Sequence, residues 1–482
     1  MEKDHKQFLH PLSDRYASEE LKYFFSPHYR IKMWRKVWIA LAEAEKELGL
    51  PISNEQISQL KKFADNINFD VADKREQETK HDVMAHVYAY SQQCPDASKI
   101  IHLGATSALV TDNADILIIK DVSKNIISKL GKVINLLSEL ALKYKNLPAL
   151  AYTHFQSAQL TTLGKRFSLW LQDLIYDYHE LNYRYDNLAL LGTKGATGTQ
   201  ASFLKLFDGD ENKVETLDKL FCEKLGFKYK VALSGQTYSR KLDYNYLSSI
   251  SSIAVSAAKF SNDMRLMQHT GEVSEGFEKD QIGSSAMPYK RNPIHSERIF
   301  SLSRLVLSLV QNASYTAANQ WFERTLDDSA NRRIIIPEIF LTIDAILLLY
   351  YTVVKNIHIR EEIIEQLVIQ ELPFMATENI LMLGVKHGGN RQELHEVLRQ
   401  LSQNEYLKVK QRKENNLIKN IKEHPAFSKI SKDIDEEIKA EKFIGMSAVQ
   451  VENFIKNMVN NVLKEIKDNF SEKDDDSMLV KI

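Results

Sequence analysis

The sequence predicts a mainly α protein: three helical domains, with a central long-helix bundle that assembles with other subunits. Three observations predict the helices. The 482 residues include only 17 Gly and 10 Pro, so helix breakers are few. Apolar residues recur at helical spacing over segments longer than the ~11–12-residue mean helix. Strand-like alternation is scarce, and KYKVAL at 228–233 is the best short candidate.

The elements follow in order. Residues 28–48 place Ile31, Trp34, Val37, Trp38, Leu41, Ala44 and Leu48 on one face, and Gly49 and Pro51 close the segment. Residues 113–142 contain no Pro and a single Gly, Gly131. Segments 157–190 and 241–270 are similarly long, and 298–320, 337–357 and 361–370 continue the pattern. Residues 245–260 are apolar or small around most of the helix, so that helix must be buried on several sides, inside the domain or against other subunits. The expected domains are 1–107, 108–360 and 361–482. The Lys/Glu/Asp-rich end, SEKDDDSMLVKI, is expected to fray.

Composition narrows the function classes. The net charge of −1 makes no global electrostatic case for nucleic-acid binding. Two cysteines, Cys94 and Cys222, form neither a metal-ligand spacing nor a disulfide framework, which fits a reducing compartment. The charged N-terminus is unlike a signal peptide, and no run reaches ~18 consecutive apolar residues, so no membrane span is expected. The expectation is a soluble cytoplasmic protein.

Chemistry concentrates in a few polar segments. GSSAMPYKRNPIHSE at 283–297 sets Ser284 and Ser285 shortly before Lys290 in a loop marked by Gly, Asn and Pro. A hydroxyl beside a cation suits a nucleophile or a base. His154 in YTHFQ reads either as a general acid or base or as a half-buried histidine bonded to the backbone. His81 and His86 are five apart, which does not match a helical zinc pair, so no metal is expected. Thr106 and Ser107 suit an N-cap, whose free amides also bind carboxylate or phosphate. GTKGATGTQ at 192–200 lacks the ending of a P-loop and reads better as a flexible wall of some other anion site. Arg324, Arg332 and Arg333 among Asp327, Asp328, Ser329 and Asn331 read as a solvated ion-pair face or as a bidentate grip on an anion.

SDRYAS at 13–18, TKHDVMAH at 79–86, HLGATS at 102–107, AYTHFQ at 151–156, KGATGTQASF at 194–203, SGQTYSRK at 234–241, the 283–297 loop and WFERTLDDSANRR at 321–333 occur together in order. In this the chain resembles the fumarase/aspartase superfamily of lyases over essentially its whole length. SGQTYSRK and FERTLDDSANRR narrow the resemblance to the adenylosuccinate lyase family, in its animal branch.

The resemblance implies a β-elimination that breaks a C–N bond and releases fumarate, with no metal or organic cofactor. It implies nucleotide substrates: adenylosuccinate, giving AMP, and the succinyl-carboxamide ribotide, giving the aminoimidazole carboxamide ribotide. It implies Ser284 as general base, His154 as general acid, Glu297 as the carboxylate orienting that histidine, and Lys290 and Asn292 on a succinyl carboxylate. Thr106 and Ser107 would bind the same part of the substrate. Arg15, Tyr16, Arg324, Ser329 and Arg333 would hold the phosphate and ribose. Gln236, Arg298, His81 and Asp82 would be further substrate contacts. The family usually has Arg before the His-Asp pair; here Lys80 keeps the charge but not the planar fork, and it is left out of the core set. The segments are too scattered for one bundle to gather easily, so the expected site is shared between subunits; the resemblance implies a homotetramer, with the central bundles forming a tetrameric core. The alternatives are another fumarate-releasing lyase, such as argininosuccinate lyase, aspartase or fumarase, or an inactive structural homologue.

Overall fold

The computed structural model describes residues 6, 8–276, 285–411, 413–470 and 478. Ser284 and most of the C-terminal acidic run therefore lie outside the described residues.

A π-helical turn, Leu12–Tyr16, precedes α1 (Glu19–Phe24), α2 (Pro27–Glu47), α3 (Asn54–Lys62), α4 (Phe69–Thr79) and α5 (Asp82–Gln93). Local chemistry sets these starts. Ser18, Ser26 and Ser53 each accept a backbone N–H as N-cap, Pro27 sits in the first turn of α2, and Ser53 with Gln56 forms a capping box. The face anticipated for α2 is buried from Ile31 through Ala44.

The central unit holds the long helices α6 (Ser107–Lys143), α7 (Leu163–Asp186), α10 (Lys241–Thr270), α11 (Ile294–Ala318) and α12 (Asp327–Asn356), with α8 (Ala201–Leu206) and α9 (Glu211–Lys224) in the connection between α7 and α10. The pairs α10–α11, α11–α12 and α6–α7 pack most extensively. Apolar length explains this: α6 alone buries Leu109, Ile116, Ile126, Leu130, Val133 and Leu137 in turn. In α12, Glu338 and Asp344 interrupt what would otherwise be a continuous apolar run. By length and composition α12 is nonetheless apolar enough to cross a membrane, and 78% of its most apolar window is buried inside the protein. Asp344 is buried there against the Lys129 ammonium.

Two expectations need correction. The helix anticipated over 157–190 begins only at Leu163, capped by Thr162. Residues before it form an antiparallel hairpin, β1 (Pro148–Thr153) and β2 (Gln156–Thr162), pairing Pro148 with Thr162 and Thr153 with Gln156, with the register shifting between Leu150 and Tyr152. Alternation along SAQLTT buries Leu160 and Thr162 and explains the strand. The turn was hidden because His154 and Phe155 take its positive φ angles, 53° and 57°, where Asn-Gly or Asp-Gly would have signalled it. The strand anticipated at 228–233 is reduced to β4 (Tyr229–Lys230), parallel to β3 (Ala189–Leu190); β5 (Val273–Ser274) and β6 (His358–Ile359) form a third pair.

The remaining helices are α13 (Glu361–Met375), α14 (Thr377–Lys386), α15 (Arg391–Lys410), α16 (Leu417–Glu423), α17 (Ile434–Glu437), α18 (Ser447–Phe454) and α19 (Asn460–Phe470). A second small core forms around Ile380, Leu394, Leu398, Ile421 and Phe427. Val451, Val462 and Ile466 return to the main core, which also contains the α2 and α6 faces.

Candidate active site

A cavity of about 1110 Å³ opens where α2, α5, the start of α6, the 236–240 segment and the start of α12 meet. Eight anticipated residues line it: His81, Asp82, Thr106, Ser107, Gln236, Arg324, Ser329 and Arg333. Lys80, set aside in the sequence, lines it too, held at φ 56° at the end of α4. Its charge therefore belongs to this wall.

Helix ends place these side chains. His81 caps α5, its Nδ1 accepting the Met84 N–H at 3.3 Å, while its Nε2 lies 3.4 Å from Ser107 Oγ. Thr106 caps α6 by accepting the Leu109 N–H, so the cap reading holds for that residue. Asp82 accepts from the Val83 N–H at 2.8 Å and from Arg333 at 2.9 Å. Burial pushes its carboxyl pKa up, but those two donors and the charges of Arg333 and Arg30 outweigh burial and hold it below the usual range. Across the cavity, Arg324 donates to Gln236 Oε1 at 3.2 Å, and the Gln236 N–H donates to the Glu323 carbonyl at 3.0 Å.

Part of the cavity lining is a nearly buried ionic layer that sequence spacing does not reveal. Arg240 donates to both oxygens of Asp112, at 3.0 and 3.1 Å, and to Asp328 at 2.7 Å. Arg332 donates to Asp243 at 2.7 Å and to the Tyr238 hydroxyl at 2.6 Å, and pairs with Asp115 at 3.0 Å. Burial alone would lower the Arg332 pKa; Asp243, Tyr238, Asp115 and Asp112 together push it up instead. Arg332 is thus committed to structural pairs, and the ligand-gripping alternative fails for it. The only local hints were the Asp-Asp and Arg-Arg doublets.

The chain does not bring every anticipated residue to this cavity. His154 is exposed at the hairpin tip, and Glu297 is exposed on the first turn of α11. Neither side chain makes a hydrogen bond or ion pair among the described residues, so the histidine–carboxylate contact does not form within one chain. Lys290 is exposed on its loop, and Asn292 and Arg298 are half-buried and off the cavity wall. Arg15 is exposed and Tyr16 half-buried on the π-helical turn, also off the wall. That turn is pinned nearby: the Ser18 N–H donates to Asp344 at 2.6 Å and the Lys129 ammonium to Ser18 Oγ at 3.0 Å. The 192–200 run is no flexible wall. Lys194 is buried 2.6 Å from Asp218, and at Gly198, φ 80°, a Cβ would lie 1.9 Å from the Ser234 carbonyl oxygen. Among the described residues no His, Cys, Asp and Glu cluster suits a metal ion.

The lining combines six cations, Arg30, Lys80, Arg240, Arg324, Arg332 and Arg333, with Asp82, Asp112, Asp115 and Asp328 and with hydroxyls and amides; since Arg240 and Arg332 are spent on those aspartates, Arg30, Lys80, Arg324 and Arg333 are the cations suited to a phosphorylated or carboxylated small molecule. Solved structures share the fold: 3-carboxy-cis,cis-muconate lactonizing enzyme from Pseudomonas putida (TM-score 0.79, 20% identity, 95% of this chain and 99% of that one) and a fumarate lyase from Mesorhizobium sp. BNC1 (TM-score 0.77, 19% identity, 95% and 100%). Residues 19–307 match the family described as Lyase, and the protein is a lyase. Residues 373–454 match the Adenylosuccinate lyase C-terminus. Adenylosuccinate lyase of Saccharomyces cerevisiae is 48% identical, covering 96% of each chain. That of Schizosaccharomyces pombe is 46% identical over 98% of each, and that of Schistosoma mansoni 41% identical over 96% of this chain and 97% of its own. The chain belongs to the adenylosuccinate lyase family, and its likeness extends to fungal as well as animal members.

Proposed function

We propose that this lyase splits adenylosuccinate into AMP and fumarate, and the succinyl-carboxamide ribotide into the aminoimidazole carboxamide ribotide and fumarate. The observation that carries the reading is the cation-lined cavity, which fits a nucleotide phosphate, on a chain closely related to adenylosuccinate lyases. Aspartase and fumarase substrates carry no phosphate for such a wall to hold.

In the elimination, Ser284 takes the Cβ proton of the succinyl group. The electron pair spreads onto the neighbouring carboxylate, where Lys290, Asn292, Thr106 and Ser107 supply donors that bind the transition state more tightly than the ground state. The C–N bond then breaks and His154 protonates the departing nitrogen, with Glu297 fixing the imidazole orientation. Arg15, Tyr16, Arg324, Ser329 and Arg333 hold phosphate and ribose; Gln236, Arg298, His81 and Asp82 complete the substrate contacts. A serine becomes a usable base only when loop closure removes water and surrounds it with donors. No metal or organic cofactor takes part.

The working form in this reading is a homotetramer in the cytosol, with each site built from several subunits. Its support is the exposure of His154 and Lys290, together with apolar surface on the central helices such as Leu169, Tyr176 and Val255. The purified protein incubated with adenylosuccinate should yield fumarate and AMP, followed by the ultraviolet absorbance of fumarate. Fumarate from argininosuccinate, aspartate or malate but not from adenylosuccinate would overturn the reading.

A further inference from the structure

Arg30, on the first turn of α2, is a cavity-lining cation that neither the motifs nor the roles above include. Its surroundings are unusual for a half-buried arginine. Its side chain makes no hydrogen bond or ion pair among the described residues, and its Nε is buried without a partner. Its guanidinium lies over the Trp34 ring, 5.6 Å from the centroid. Trp34, 1% exposed and also on the cavity wall, has an indole N–H with no acceptor. Buried donors of this kind are normally satisfied.

The charged groups facing Arg30 are Arg333 from α12, Asp82 from α5, Asp115 from α6 and Glu76 from α4. Two of the three carboxylates are already engaged: Asp82 with Arg333 at 2.9 Å and Asp115 with Arg332 at 3.0 Å. Glu76 is exposed and makes no ion pair within 4 Å among the described residues. Burial and then Arg333 lower the Arg30 pKa, though an arginine stays protonated at any working pH. Of the two guanidiniums in this corner, Arg30 and Arg333, only Arg333 holds a carboxylate.

We propose that Arg30 is a substrate-binding residue, acting with Arg333 as a paired clamp on the phosphate monoester of the nucleotide. A phosphate dianion offers oxygens for a fork from each arginine and gives Arg30 the direct anionic partner that no side chain supplies. The idea deepens the nucleotide reading above and rests on it for the identity of the phosphate's bearer.

The test compares wild type, Arg30→Gln and Arg30→Lys in the full chain. For Arg30→Gln the KM for adenylosuccinate should rise roughly tenfold or more while kcat falls far less, and Arg30→Lys should lie between. Inhibition by inorganic phosphate should weaken in parallel in Arg30→Gln. An unchanged KM and unchanged phosphate inhibition would overturn the clamp, including the case where the variant only melts at a lower temperature through loss of Trp34 packing. Thermal stabilisation by inorganic phosphate supplies a readout independent of turnover. If wild type cleaves no adenylosuccinate yet phosphate stabilises it and not Arg30→Gln, the nucleotide reading fails while the anion site survives.

Discussion

Arg240 grips Asp112 with both terminal nitrogens, at 3.0 and 3.1 Å, and both residues are almost sealed from water. The pair joins the 234–241 segment to α6, and the third nitrogen of Arg240 reaches Asp328 at the start of α12. Three segments that carry ligand-facing side chains are thereby locked in one geometry. Removing one partner of a buried pair leaves the other charge uncompensated, so Asp112→Asn should destabilise the fold by about 3–5 kcal/mol. Urea unfolding would measure this, and a loss below about 1 kcal/mol would mean water reaches the pair.

His154 and Ser284 are assigned to proton transfer, so each single variant should bind nucleotide and lose most turnover. His154→Gln and Ser284→Ala should each lower kcat by about 10²–10⁴. Near-normal turnover in either would reject that role.

His154 stands alone at the β1–β2 tip, away from Glu297 in the same chain. Mixing the two inactive variants, after unfolding and reassembly, should therefore restore part of the activity by creating hybrid sites. Hybrids that never recover activity would argue for a site made by one chain.

At Gly235 a Cβ would fall 2.4 Å from the Glu323 carbonyl oxygen, where the 234–236 strand of chain passes the 320–325 loop. Since Arg324 reaches Gln236 across this contact, Gly235→Ala should push the arginine away. The expected result is a higher KM for the nucleotide with a smaller change in kcat. Equal KM values would show that the loop absorbs the methyl group.

Glu45 is fully buried on α2, both carboxylate oxygens lack a partner, and burial pushes its pKa up to about 9. A folded pKa above the unfolded one favours the protonated folded state. That contribution is complete below the unfolded pKa, ordinarily 4.5, and is lost as pH rises through about 9. Glu45→Gln removes the titration, so its Tm advantage over wild type should grow from about pH 7 to about pH 9. His86, lowered to about 4 by burial, Arg35 and Arg30, has the opposite slope, but only below its unfolded value of 6.5, outside this window. A Tm difference independent of pH would show that Glu45 meets water.

Much of the fold was legible because helical periodicity is a local signal. The α10 boundaries, Lys241–Thr270, coincide with the segment read from apolar spacing, and α2 is off by one residue at each end. The hairpin was lost because its turn lacks the usual residues and His154 and Phe155 carry the positive φ instead. Eight cavity-lining residues were legible through family motifs and share one wall, whereas no motif singles out Lys80 or Arg30.

By itself, then, the sequence determined most of the helical segments, the motifs that mark the candidate site, and the family to which the chain belongs. Those rest on short-range spacing and on motifs a few residues long. Only the tertiary structure decided which arginines are free for a ligand. Arg332 and Arg333 are neighbours in sequence, yet successive helical positions point about 100° apart. Both line the cavity, but Arg332 is nearly buried and spent on Asp115, Asp243 and Tyr238, while Arg333 is exposed beside Arg30 and pairs with Asp82 alone among the described residues. Partners up to 128 positions away, such as Asp112 and Arg240, set that division, and no local pattern encodes them.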